Sequence, residues 1–293
     1  MPEFSLIVAT KGRTNELARL IASVDAQTDA DYELIIVDQN EDDRLVPIIQ
    51  YSTHREKISW LRCETGVSRA RNLGIENARG KIIAFPDDDC WYPPGVLRAV
   101  SSWFDAHLPY EILCLNSLDR DGARSGNRWF QDSCDLNLFK VFRTSVGYAY
   151  FIRSQGVARA VRYDEGIGPG ANTPYLASED SDFILAAIKA GARGRFEAKW
   201  HIGHPVKDIR NASVQKDRVY VYGKGMGFVH RKHHLAWLWI LLVALDYVRA
   251  VCAFLVGRRK PAELWYWHGR GLIDGFFASE ANPLPHNSQS AST

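Results

Sequence analysis

The sequence predicts an α/β fold with a mostly parallel central sheet and helices on both faces. Three observations carry that reading: strands and helices alternate over roughly the first 110 residues, the strands are near-continuous apolar runs, and three of them end in polar clusters. Strands apolar along their whole length are buried on both sides, which is the habit of parallel sheets. In open sheets of this class, ligands sit beyond the carboxyl ends of the strands.

In chain order, Phe4-Ser5-Leu6-Ile7-Val8-Ala9 is the first strand, running into the turn Thr10-Lys11-Gly12-Arg13. Leu17, Leu20, Ile21 and Val24 recur at spacings of three and four, so a helix follows. Residues 32–37 form a second β-rich run that ends at Asp38-Gln39-Asn40, and residues 58–61 a third, weaker one. Residues 66–77 read as a helix and 81–85 as a fourth strand, which leads into Asp87-Asp88-Asp89. Beyond about residue 110 the pattern loosens, with strands expected at 111–116, 139–143, 148–153 and 195–199. The Gly-rich stretch 166–170 must be a loop. Ser178 is placed to cap a helix reaching about Ala190, with Glu179, Asp180 and Asp182 suiting the dipole of its first turn.

Composition bounds the function. The chain of 293 residues is 46% hydrophobic and 24% charged, the balance of a folded protein. A formal charge of +2 gives no electrostatic reason to expect nucleic acid as a partner. Five scattered cysteines contain no CxxC pair, so neither a disulfide framework nor a zinc site is indicated. The opening residues lack the basic and apolar regions of a signal peptide, and a reducing, cytosolic setting is expected.

Asp87-Asp88-Asp89 is the densest chemical signal. As a charged turn it would be a solvated loop and nothing more. As a site, the alternate carboxylates of Asp87 and Asp89 would face one side and share a hard cation, Mg²⁺ or Mn²⁺, bridging to a diphosphate. Asp38 alone could be a helix cap, but three polar strand ends together favour a common crevice.

These pieces resemble the family 2 glycosyltransferases, which have the Rossmann-like GT-A fold. The resemblance rests on Val8-Ala9-Thr10-Lys11-Gly12-Arg13, Ile35-Ile36-Val37-Asp38-Gln39-Asn40, Gly66-Val67-Ser68-Arg69-Ala70-Arg71-Asn72-Leu73-Gly74, Phe85-Pro86-Asp87-Asp88-Asp89 and Ser178-Glu179-Asp180-Ser181-Asp182, in the family's order. It covers about residues 4–205 and departs at Gln39-Asn40, where many members have a second Asp followed by Gly-Ser.

The resemblance implies a metal-dependent, inverting transfer of a sugar from a nucleotide-diphosphate donor, expected to be UDP-linked. Thr10 and Arg13 would line the nucleotide pocket, and Asp38 would accept a hydrogen bond from uracil or ribose. Arg71 would reach towards the diphosphate or brace the triplet, unless it is an ion-paired surface residue. Asp87 and Asp88 would belong to the nucleotide-sugar contacts, with Asp89 the better metal ligand. His201 or His204 would complete the metal site, His204 having the more loop-like setting; a solvated loop histidine is the alternative. An acceptor hydroxyl needs a base near neutral pH, and Asp180 is assigned that role, with Glu179 and Asp182 towards the acceptor or serving the helix start. The implied organisation is a catalytic domain over 1–210, with a nucleotide-sugar half to about 110 and an acceptor half beyond. A helical membrane-associating region at 211–280 and a disordered tail at 281–293 follow.

Between Leu235 and Val256 the chain is apolar except for Asp246 and Arg249. As a helix it would be about 33 Å long, enough to cross a bilayer, but each mid-segment charge would cost about 2.5–3.5 kcal/mol. Basic clusters at 231–234 and 258–260 flank both ends, which suits a helix lying on or dipping into an anionic cytoplasmic leaflet. A second interfacial helix is expected at 262–277. Both fit a glycan or polyprenyl-diphosphate-linked acceptor in exopolysaccharide, O-antigen or related envelope synthesis. A sugar nucleotidyltransferase would instead need a Gly-rich basic phosphate loop after the first strand, which Ala9-Thr10-Lys11-Gly12 poorly provides; GxGxxG is absent there too. An inactive, membrane-bound glycan-binding or scaffold protein is the remaining alternative.

Overall fold

A computed structural model describes residues 1–28, 30–126, 129–206 and 212–278. The elements in chain order are β1 (Phe4–Thr10), α1 (Asn15–Asp25), β2 (Tyr32–Asp38), α2 (Val46–Gln50), β3 (Ile58–Arg62), α3 (Val67–Asn77), β4 (Ile82–Ala84) and α4 (Val96–Ala106). Then follow β5 (Ile112–Leu118), β6 (Cys134–Asp135), α5 (Val141–Thr144), β7 (Tyr150–Arg153), α6 (Val157–Ala160), α7 (Glu179–Lys189) and β8 (Gly194–Gly203). Three long helices close the described chain: α8 (Ala212–Lys232), α9 (Ala236–Leu255) and α10 (Arg259–Phe277).

The strands form one mixed eight-stranded sheet in the order β3-β2-β1-β4-β7-β5-β8-β6. Its first four strands are parallel, as the apolar runs require. β7 is antiparallel to both β4 and β5, and β8 runs parallel to β5. Register places Thr10 beside Asp38 and Asp38 beside Arg62, so the polar strand ends lie on one edge. Leu17, Leu20, Ile21 and Val24 bury one face of α1. Gly74 lets α3 lie flat on β1, because a Cβ there would strike the side chain of Ile7.

Three expectations are corrected. Residues 139–143 are not a strand: Val141–Thr144 is a helical turn. The Asn137 side chain accepts hydrogen bonds from the amides of Phe139 and Lys140 at 3.1 and 3.0 Å, drawing a β-prone run into that turn. The strand expected at 195–199 extends to Gly203, which puts His201 inside β8. Ser178 directly precedes α7 with a left-handed φ of 78°, away from the extended backbone usual at an N-cap.

Contacts divide the chain into two units, Met1–Asp164 with Asp180–Asp208, and Glu165–Glu179 with Ile209–Thr293. The tail expected at 281–293 lies outside the described residues. Within the second unit, α8 and α10 approach until backbone meets backbone. A Cβ on Gly223 would strike the carbonyl of His268, on Gly227 that of Leu272, on Gly271 that of Tyr220, and on Gly275 that of Lys224. Gly225 meets the carbonyl of Ala177 in the same way.

The helix α9 is long and apolar enough to cross a membrane by length and composition. It buries Leu238, Asp246 and Ala250 and exposes Trp237, Ile240, Leu241, Leu245, Val248, Val251, Phe254 and Leu255. Asp246 faces inward, 2.6 Å from Nδ1 of His268, with Arg249 at 3.8 Å.

Candidate active site

The acidic triplet follows β4 and is fastened from β1. Thr10 Oγ1 donates to Asp88 Oδ2 at 2.8 Å, while Arg13 Nη1 reaches Asp88 at 2.8 Å and Asp89 at 2.5 Å. Asp88 is thus the inward member, only 7% exposed. Burial, joined by the charges of Asp87 and Asp89, pushes its carboxyl up to about 6 against the pull of Thr10 and Arg13. Asp89 takes the opposite course. Burial would raise it, but the hydrogen bond and charge of His204, with those of Arg13, hold it well below the usual carboxylate range.

Asp38 is fully buried. Its Oδ1 accepts from the amide and side chain of Asn40 at 2.8 and 2.7 Å, and its Oδ2 from Trp60 Nε1 at 3.1 Å. Three of its roughly four lone-pair sites are thereby engaged. Asn40 Oδ1 accepts the amide of Gly12 at 2.6 Å, and Gln39 Oε1 that of Gly66 at 2.7 Å. The two residues that depart from the family's pattern therefore tie the β1 turn and the start of α3 to the end of β2.

His204 reaches the triplet from the far half of the sheet. Trp91 and Gly203 exchange both backbone hydrogen bonds at 2.9 Å, and the His204 amide donates to Leu118 at 3.0 Å. Gly203 is required there, because a Cβ would strike the Trp91 indole. Nε2 of His204 then stands 3.3 Å from Asp89 Oδ1. Asp87, Asp89 and His204 offer ligand atoms all within 4.8 Å of one another, a group that could hold a metal ion. Two carboxylate oxygens and one imidazole nitrogen fit Mn²⁺ or Mg²⁺ better than a thiophilic metal. His201 is not in that group.

Arg71 joins the triplet to Asp180. Its side chain is 5% exposed, pairing with Asp180 Oδ1 at 2.7 Å and Asp87 Oδ1 at 3.4 Å, and the Tyr163 ring lies 5.2 Å from its guanidinium. Of the roles open to it, bracing the triplet is the one this conformation displays. Asp180 Oδ2 accepts the Gly147 amide at 2.8 Å. A Cβ on Gly147 would strike both Arg71 and Asp180, so glycine makes room for the pair. Two of the roughly four lone-pair sites of an ionised carboxylate are engaged in these short bonds, and 18% of the Asp180 side chain remains exposed. Asp182 is buried at 2%, while Glu179 is half-buried.

Sequence reasoning missed Gly147, Trp91, Gly203, Ser125 and Tyr148 as parts of this site. None stands in a spacing that carries chemistry; each acts through fit or backbone.

Residues 5–160, more than half the chain, match the family model described as glycosyl transferase family 2. An uncharacterized glycosyltransferase of Bacillus subtilis, YwdF, is 27% identical over 199 residues, 64% of this chain and 68% of that protein. The Escherichia coli protein WfgD, a UDP-Glc:α-D-GlcNAc-diphosphoundecaprenol β-1,3-glucosyltransferase, is 28% identical over 121 residues, 39% of this chain and 48% of its own length. WfgD and six further curated relatives match over 12–48% of their own length. Among solved structures, the mannosyltransferase PcManGT of Pyrobaculum calidifontis, in complex with GDP-Man and Mn²⁺, has the same fold. It superposes with a TM-score of 0.62 at 14% identity, covering 95% of this chain and 88% of that one.

Proposed function

The chain belongs to glycosyl transferase family 2, and from that premise we propose that it is a metal-dependent inverting glycosyltransferase acting at a membrane surface. It moves a sugar from a UDP-linked donor to a polyprenyl-diphosphate-linked or related glycan acceptor in envelope polysaccharide synthesis. The observation that carries this is the convergence of Asp87, Asp89 and His204 beside an Asp180 that Arg71 ties to Asp87.

Asp89, His204 and Asp87 would hold Mn²⁺ or Mg²⁺, whose chemistry is to neutralise charge growing on a leaving diphosphate. Arg13 and Thr10 keep Asp88 turned inward, which leaves Asp87 and Asp89 to face the donor. Arg71 and the Gly147 amide orient the Asp180 carboxylate. That carboxylate takes the proton of the acceptor hydroxyl as the hydroxyl oxygen attacks the anomeric carbon. Attack from the face opposite the diphosphate inverts that carbon, giving a β-glycoside from an α-linked donor. The β-linked product in WfgD's name supports this stereochemistry, and its UDP-Glc donor supports the nucleotide.

WfgD's diphosphoundecaprenol acceptor and the apolar face of α9 support a lipid-linked acceptor. With Asp246 turned inward and Arg258, Arg259 and Lys260 exposed beyond its end, α9 suits a helix lying in the cytoplasmic leaflet. The test is transfer from a panel of UDP- and GDP-sugars to a polyprenyl-diphosphate-GlcNAc acceptor, with and without Mn²⁺. Mn²⁺-dependent transfer from a UDP-sugar is expected. Metal-independent transfer, or use of GDP-sugars alone, would refute the corresponding part of the reading.

A further inference from the structure

The imidazole at the triplet is oriented by a residue outside every motif. We propose that Ser125 is a positioning residue that holds Nδ1 of His204 and so turns Nε2 towards the divalent-cation site. Its purpose rests on the metal reading above; its content rests on hydrogen-bond chemistry alone.

Ser125 is buried, at 1% exposed, on a hairpin that folds back on β5. The hairpin is held by the Leu118–Arg124 bridge, by the Ser125 amide donating to Ser117 at 3.0 Å, and by Asp119 Oδ1 accepting the amides of Asp121 and Ala123. Ser125 Oγ lies 3.0 Å from His204 Nδ1 and 3.2 Å from the Pro205 carbonyl oxygen. A carbonyl can only accept, and serine has one proton to give. The hydroxyl therefore donates to Pro205, and the serine oxygen accepts from Nδ1. Nδ1 is thereby engaged, and Nε2 is the ring nitrogen turned towards Asp89. A metal-binding imidazole commonly has its other nitrogen fixed by a partner in this way.

The plane of the ring is set as well as the direction of Nε2. Tyr148 stacks on His204 with centroids 4.3 Å apart and planes 8° off parallel. Gly126, at a left-handed φ of 78°, lets the hairpin approach that tyrosine, since a Cβ there would strike its hydroxyl.

The experiment uses the full chain, with Mn²⁺ binding read by electron paramagnetic resonance. Ser125→Ala should weaken Mn²⁺ binding about tenfold. Ser125→Thr should restore it, and an unchanged thermal midpoint separates this from misfolding. Mn²⁺ affinity unchanged in Ser125→Ala, or not restored in Ser125→Thr, overturns the proposal. A wild type that binds no Mn²⁺ overturns the metal reading instead, and the role of Ser125 falls with it.

Discussion

The α/β unit and the helical unit are put together by different means. In the first, buried polar groups are matched to one another: Thr10 and Arg13 to Asp88, Asn40 to Asp38, Arg71 to Asp180. In the second, glycines bring α8 and α10 into backbone contact, and α9 keeps most of its apolar surface outside. One unit is specified by charge and hydrogen bonding, the other by the absence of side chains. Damage to the first should appear in chemistry, and damage to the second in stability or location.

The sharpest break of that contrast is Asp89→Ala, expected to abolish transfer and the metal-dependent part of nucleotide binding. Calorimetry with UDP, with and without Mn²⁺, reads it, and metal-dependent binding that survives would remove Asp89 as a ligand. Next is Asp180→Asn, which should keep nucleotide affinity while turnover falls roughly 10²–10⁴-fold. A fully active variant would dismiss Asp180 as the base.

In the helical unit, Leu241→Lys with Val248→Lys should lower partition onto anionic vesicles by at least tenfold, each apolar side chain contributing about 1.5–3 kcal/mol. Transfer to a water-soluble acceptor should persist, and unchanged flotation with vesicles would move the anchor elsewhere. Gly275→Leu, pressed against the Lys224 carbonyl, should cost about 1–3 kcal/mol by overpacking. Denaturant unfolding measures this; a wild-type midpoint would mean that the two helices part without penalty.

The smallest effect is one of pH. Burial alone would raise the Glu33 carboxyl, but hydrogen bonds from Ser5 and from the amide and guanidinium of Arg79 hold it below its ordinary value. Between that lowered value and the ordinary one, the unfolded chain binds more protons than the folded one. The stabilisation is therefore present at neutral pH and fades as pH falls through the carboxylate range. Glu33→Gln should flatten the acid limb of stability against pH, and an unaltered limb would assign it to other groups.

The same contrast explains what could be read from residues alone. β1, β2 and β4 were legible because burial on both faces makes strands near-continuously apolar, and the triplet because it follows one of them; β3, a partly buried edge strand, read more weakly. The turn at 141–144 was not, since its cause is a single side chain, Asn137, competing with a β-prone run. Within the helical region expected at 211–280, the bounds of α8 were not legible, because Gly223, Gly225 and Gly227 lower helix propensity and their reason lies in the backbone they touch. Of the site, the acids and His204 stood out by type. Ser125 and Gly147 did not, since a lone serine or glycine has no pattern until its neighbours are in place.

The inward turn of Asp246 bears on the order of events during synthesis. As an extended stretch leaving the ribosome, 236–255 offers an acid and an arginine to any insertion machinery, at about 2.5–3.5 kcal/mol for each at mid-bilayer. Once α10 has delivered His268 to Asp246, the acid is hidden and the exposed residues of α9 are mostly apolar, with Arg249 partly exposed among them. On the membrane-surface reading proposed above, attachment to lipid would then follow the docking of α10 rather than precede it.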